Sequence, residues 1–499
     1  MDSLQGLAYG FGVAFSGPNL LACFFGVLIG TVVGVLPGIG PLGAMALLFP
    51  TTYALEPTTS VIMLAGIFYG AMYGGSTTSI LLNVPGESAS VVTAIDGYQM
   101  ARKGRAGAAL AISAVGSFVA GTLGVVGLMF FAPILAKAAL AFGPPEYFAL
   151  MLVGLIFLSQ LGGGSAIKSF LMVGFGLLLG IVGMDSISGV TRFTFGQLEL
   201  GQGVELVPVA MGLYGVGEIL IIAEQITGLP DLIKVKLRDL FPTVSEWKRA
   251  FPPIFRGAGV GFFIGLIPGP AAILSTFASY ALEKKISRHP QEFGKGAVEG
   301  VAGPESANNS ATAGLMVPML ALGVPFAPVP AMLLGALIIH GIQPGPLLVT
   351  QRPDIFWGVV ASMYIGNVLL LILNLPLVGV FASILRVPQH ILSTFILLLC
   401  LVGTYSVNNS ILDLYVLVGM GVVGYILRKL KFDMAPLILA LVLGPMLEKN
   451  LRQSLYMVSG DVWAMVSRPI TGALLLIALA VIVLPPLIRH MKRAQGSKA

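Results

Sequence analysis

Two polar runs interrupt an otherwise apolar chain. The first is Gly74-Gly75-Ser76-Thr77-Thr78-Ser79, followed by Asn83-Val84-Pro85-Gly86-Glu87-Ser88. The second is Pro304-Glu305-Ser306-Ala307-Asn308-Asn309-Ser310-Ala311-Thr312. Hydroxyls, carboxamides and carbonyls supply neutral oxygens to a small cation, and hydroxyls and amides also donate to an anion. Pro85 removes a backbone donor and Gly86 permits unwinding. A helix broken there exposes carbonyls on one side and N–H groups on the other, so a cation and an anionic group can be held together. The competing reading of the first run is helix packing by small hydroxyl residues. For the second it is a helix start with an acidic first turn. Consecutive hydroxyls followed by a Pro-Gly break favour a site in the first run. In the second, Glu305 is the single ionisable group, and a carboxylate inside a bilayer is functional by default.

The expected substrate-binding residues are therefore Ser76, Thr77, Thr78, Ser79, Asn83, Pro85, Gly86 and Ser88, with Asn308, Asn309, Ser310, Thr312 and Pro325 from later in the chain. Glu87, Glu305 and Asn309 are the expected ion-coupling residues. Gly38, Gly40 and Gly269 are expected at hairpin tips, where a following half-helix offers free N–H groups to an anion. Gly38 to Gly43 also fits GxGxxG, but it follows an apolar glycine-rich helix rather than a strand, so a dinucleotide site is rejected.

Enzyme chemistry finds little footing. His289, His340, His390 and His490 share no helical spacing, and HExxH and Gly-x-Ser-x-Gly are missing. Cys23 and Cys400 sit singly in apolar stretches. The expectation is no enzyme, no cofactor and no metal centre, with Na⁺ as the preferred coupling ion and H⁺ the alternative. A cation site can be built from hydroxyls, amides and carbonyls, whereas a proton relay needs more titratable groups than these segments carry.

The elements that position these residues follow from composition. Of 499 residues 56% are hydrophobic and 10% charged, against about 25% charged in soluble domains. Mean hydropathy is +0.93. Such a chain cannot cover a water-soluble surface, so it is an integral membrane protein. The net charge of +6 reads as Lys and Arg in cytoplasmic loops, not as nucleic-acid binding. Residues 1–17 lack Lys and Arg, so no cleavable signal is expected. Gly 64 and Pro 32 are too many for plain spanning helices, and broken backbone survives in lipid only where protein or a water-filled cavity surrounds it. The expected fold is all-α and polytopic, with roughly 10–14 membrane segments, some re-entrant and some broken at Pro or Gly.

A repeat organises them. Gly26, Gly30, Gly34, Pro37 and Gly38 recur 231 positions later as Gly257, Gly261, Gly265, Pro268 and Gly269. Leu82-Asn83-Val84-Pro85 is matched by Leu322-Gly323-Val324-Pro325. The expected halves are 8–227 and 255–490, joined by a basic cytoplasmic linker at 228–254. Lys and Arg bias places Arg102, Lys103, Arg105, the linker, Arg428 to Lys431 and the C-terminus inside. The first copy then enters from outside and the second from inside, with Pro268-Gly269 at a hairpin tip. Inverted repeats with broken helices are the architecture of secondary transporters. A passive channel and an intramembrane hydrolase are the weaker alternatives.

Val33 to Pro41, Tyr73 to Gly86, Asp96-Gly97-Tyr98, Gly303 to Asn309 and His340 to Pro346 resemble the large membrane subunit of tripartite tricarboxylate transporters. The resemblance runs from about residue 8 to 490. It implies ion-driven uptake of di- or tricarboxylates, or of another small organic anion, across the bacterial inner membrane. It also implies a periplasmic solute-binding protein and a small membrane subunit of about four helices. In place of the family's glycine after the second Val-Pro stands Phe326.

Overall fold

A computed structural model of the chain describes all residues except 1, 37–38, 162–164, 186, 225–239, 385–386, 388 and 497–499. Pro37, Gly38 and residues 228–239 of the expected linker lie outside the described residues. Among the described residues the elements are helical, save for a short hairpin pairing Gly183 with Arg192 and Met184 with Thr191.

The first half contains α1 (Ser3–Ala14), α2 (Gly17–Val35), α3 (Gly40–Leu48), α4 (Pro57–Leu82), α5 (Val91–Met100), α6 (Ala106–Ala139), α7 (Pro144–Leu161) and α8 (Ala166–Gly180). Next, α9 (Leu206–Ala210) runs through a π-wound stretch into α10 (Gly217–Glu224). The second half contains α11 (Val244–Gly265), α12 (Ala271–Ile286), α13 (Glu299–Leu322), α14 (Pro328–Ile339), α15 (Leu348–Gln351), α16 (Pro353–Asn374) and α17 (Val378–Ile384). It closes with α18 (Gln389–Asn408), α19 (Ile411–Lys429), α20 (Ala435–Met457), α21 (Val462–Val466) and α22 (Pro469–Gly496). Among the described residues, six helical stretches are long and apolar enough to cross a membrane, and four apolar helices are shorter. The protein is an all-α, polytopic membrane protein.

The glycine ridges bring helix backbones into direct contact. A Cβ added at Gly30 would lie 2.5 Å from the Ile67 carbonyl oxygen, and Gly26 and Gly34 meet the carbonyls of Met63 and Ala71 in the same way. Helix α4 answers with Gly66, Gly70 and Gly74, whose added Cβ atoms would strike the backbone of α2. Spacing by four keeps each set on one helix face, so the two backbones touch. In the second half, Gly257, Gly261 and Gly265 of α11 meet the carbonyls of Gly303, Ala307 and Ala311 on α13.

The breaks also correspond. α4 stops at Asn83 (φ 59°) and α13 at Gly323 (φ 70°). Both are left-handed, a conformation that Asn and Gly tolerate best. The Pro two residues later prevents either helix from resuming. This explains why Asn and Gly exchange between the two Leu-x-Val-Pro copies.

Two boundaries differ from expectation. α11 begins at Val244, inside the range read as linker, because Thr243 and Glu246 form a reciprocal capping box. α13 begins at Glu299, so Glu305 lies beyond the first turn that the helix-start reading gave it, and all residues of the helix are buried. Its polar first turns are shielded by protein rather than lipid, which hydropathy cannot register. The ends of the α11–α12 hairpin lie together, since Arg249 pairs with Glu292 at 2.6 Å and Glu299 at 2.7 Å.

Candidate functional site

Glu305 sits on α13 with no exposed surface. Hydroxyls from three other helices converge on its carboxylate. Ser76 of α4 donates at 2.5 Å, Ser113 of α6 at 3.1 Å and Ser117 of α6 at 3.5 Å. Thr93 of α5 donates to the other oxygen. Among the described residues, no Lys, Arg or His side chain binds this carboxylate. The hydroxyls satisfy its hydrogen-bonding capacity but bring no positive charge.

Glu87 lies in the break after α4 and is also buried. It accepts the Ala89 N–H at 2.7 Å and the Asn308 amide at 3.0 Å. Ser79 donates to Ser90 at 2.8 Å, and Ser90 donates to the Glu87 carbonyl at 2.8 Å. Gly86 fits because any Cβ would meet Gly34, Gly75 and the Thr78 hydroxyl. Asn309 donates to Ser117 at 2.7 Å and to the Glu305 carbonyl at 3.1 Å. Thr312 donates to the Asn309 carbonyl at 2.5 Å.

Several polar atoms of this region are buried without a protein partner: the Asn308 side-chain oxygen and the hydroxyls of Tyr73, Ser279, Ser306 and Ser310. Buried polar groups are nearly always paired with protein, water or an ion. Orphaned oxygens beside a carboxylate suit a small oxygen-coordinated cation, and orphaned hydroxyls also suit an anion.

The expected residues divide into groups. Ser76, Ser79, Gly86, Glu87, Glu305, Asn308 and Asn309 meet in one buried polar cluster. Thr77, Thr78, Ser310 and Thr312 are buried on the same two helices. Asn83 and Ser88 are exposed, and Asn83 serves as the left-handed end of α4. Pro85 is half-buried in the break and Pro325 is buried in the matching one. Gly269 donates its N–H to the Phe326 carbonyl at 3.2 Å, so the second hairpin tip rests on the second break. Gly40 opens α3 with φ 63° and open space beside it.

Sequence reasoning missed Thr93, Ser113 and Ser117. A signal existed for two of them, because Ser113 and Ser117 are four apart and share one face of α6 among small residues. Thr93 carried no such mark.

The family model for the tripartite tricarboxylate transporter TctA family matches residues 20–439. The chain belongs to the TctA family. It is similar over 494 residues, 48% identical, to an uncharacterized 52.8 kDa protein in the TAR-I ttuC' 3' region of Agrobacterium vitis, covering 99% of this chain and 98% of that protein. An uncharacterized protein in the TAR-II ttuC' 3' region of the same organism is 46% identical over 224 residues, 45% of this chain and 93% of that one. No solved structure matches the chain. As a TctA-family member, the protein is a multi-pass membrane component of a tripartite tricarboxylate transporter. The family is one of transporters and implies a partner membrane subunit and a periplasmic binding protein.

Proposed function

We propose that this chain is the translocating subunit of a secondary carboxylate importer in the bacterial inner membrane, driven by an ion gradient. The observation that carries the reading is Glu305, a fully buried carboxylate held by hydroxyls from α4, α5 and α6 and, among the described residues, bound by no Lys, Arg or His side chain. A charge so placed needs a mobile counter-ion, and intramembrane carboxylates mark ion pathways. Na⁺ is the preferred ion and H⁺ the alternative. Ser76 to Ser79 with Gly86 and Glu87 form one wall of the site, and Asn308 to Thr312 form the other. A di- or tricarboxylate binds between them beside the ion.

Helix ends and hydroxyls supply partial charge only, about half a charge per terminus. Ion and substrate therefore bind with positive, reciprocal coupling. The halves 8–227 and 255–490 act as inverted repeats, a reading supported by their matched glycine ridges and left-handed breaks. The periplasmic binding protein delivers substrate, the small four-helix subunit flanks the chain in lipid, and the C-terminus is cytoplasmic. The chain performs transport, not catalysis.

The test is uptake of labelled citrate and C4-dicarboxylates into vesicles holding all three components, with Na⁺ and pH gradients varied separately. Uptake that follows one gradient supports the reading. Uptake indifferent to both, or dissipating a carboxylate gradient passively, refutes it.

A further inference from the structure

Asp96 of α5 is fully buried and binds a segment far along the chain. One carboxylate oxygen accepts backbone N–H groups from Gly294 at 2.8 Å, Gly296 at 2.7 Å and Ala297 at 2.9 Å. The other accepts the Tyr280 hydroxyl at 2.9 Å. Gly294 (φ 82°) and Gly296 (φ 102°) adopt backbone conformations that favour glycine, and the neighbouring N–H groups turn to one point. Convergent N–H groups of this kind make an anion-binding concavity. Tyr280 is fixed edge-on against Phe293, 5.3 Å between ring centres. A Cβ at Gly300 would overlap the Asp96 carboxylate, so glycine there keeps the seat open.

Three of the nearby cations are already engaged. Arg249 binds Glu292 and Glu299, and Arg256 binds Glu283 at 2.6 Å. Lys103 donates to the Lys295 carbonyl at 2.5 Å. Asp96 and Lys103 belong to the first half, whereas the N–H groups, Tyr280 and Lys295 belong to the second.

We propose that the Gly294–Ala297 nest is a carboxylate-binding site at the cytoplasmic mouth, closed in this conformation by the chain's own Asp96. The inference rests on the reading of the chain as an alternating-access carboxylate transporter. When the halves part, Asp96 leaves and its donors lose their acceptor, which is costly unless another acceptor arrives. The transported acid carries the same functional group as the departing side chain. The nest thus exchanges a protein carboxylate for a substrate carboxylate on the way out, and the return of Asp96 expels it.

The test uses the full-length protein purified in detergent. Asp96→Ala should melt below wild type. Formate, acetate or citrate should restore most of the loss, while chloride at equal ionic strength restores none. Adding Tyr280→Phe should weaken the formate effect several-fold. In reconstituted vesicles with the partner subunits, internal citrate should inhibit uptake by Asp96→Ala at several-fold lower concentration than wild type. If Asp96→Ala does not fold, Asp96→Asn serves, since its neutral amide oxygen should yield to formate where the wild-type carboxylate does not. Absence of carboxylate-specific stabilisation in a folded variant overturns the nest as a binding site. Formate rescue with unchanged inhibition by internal citrate overturns its use by substrate and leaves a structural latch. Wild-type vesicles that take up no carboxylate refute the transport reading instead, and formate rescue would still support the nest.

Discussion

Gly30→Ala tests the backbone-to-backbone contact between α2 and α4. The new methyl carbon would lie 2.5 Å from the Ile67 carbonyl oxygen and 2.9 Å from its Cα. Ordinary carbon contacts need about 3.5–4.0 Å, so α2 and α4 must part locally by about 1 Å. Both obstacles are backbone, and Gly70 on the opposing face already lacks a side chain to withdraw. The expected cost is about 2 kcal/mol, which lowers the folded-to-unfolded ratio about 30-fold. The displacement also reaches the site, because α4 carries Ser76 to within 2.5 Å of Glu305. The control is Gly259→Ala on α11, where an added Cβ has nothing within 4 Å. Equilibrium unfolding in mixed detergent micelles would compare the two, with citrate uptake alongside. Equal stability of Gly30→Ala and Gly259→Ala would show that the ridge is not a contact, and the packing argument would fail.

Three further outcomes are expected. Ser113→Ala removes one donor to Glu305 and should weaken ion affinity by about 1 kcal/mol, roughly fivefold; Glu305→Gln and Asn309→Ala should shift ion dependence further, and wild-type uptake at limiting ion in all three would place coupling elsewhere. Arg468→Ala should cost about 1–3 kcal/mol, since Arg468 binds Glu146 at 2.6 Å and leaves that buried carboxylate with fewer partners, a loss read from thermal unfolding. The Asp185 carboxyl is held well below its ordinary range by the Ile187 N–H, the Ser188 hydroxyl and Arg452. A depressed value stabilises above the unfolded pKa of about 3.9 and is lost as pH falls through the folded one, so limited proteolysis of the 181–205 loop should be unchanged at pH near 5 and rise only below about pH 4. Loosening near neutral pH would contradict that assignment.

Composition determined the membrane class, because 10% charged residues cannot clothe a water-soluble surface. Local spacing determined the ridges and the breaks. Glycines four apart share a helix face whatever surrounds them, and a left-handed stop before Val-Pro is a property of Asn83 or Gly323 and its neighbours. What lies opposite such a face is not local. The donors to Glu305 come from 188 to 229 residues away, and no periodicity says which helix meets which. Hydropathy also cannot tell burial in lipid from burial in protein. The first turns of α13 therefore read as a polar margin, although packing places Glu305 and Asn308 wholly inside. Asp96 shows the same division. Its sequence offered a lone carboxylate before a glycine, and only the approach of the Gly294–Ala297 segment made it a ligand. Secondary structure followed from short-range sterics and composition, whereas the site arose from long-range contacts between halves that tertiary packing alone brought together.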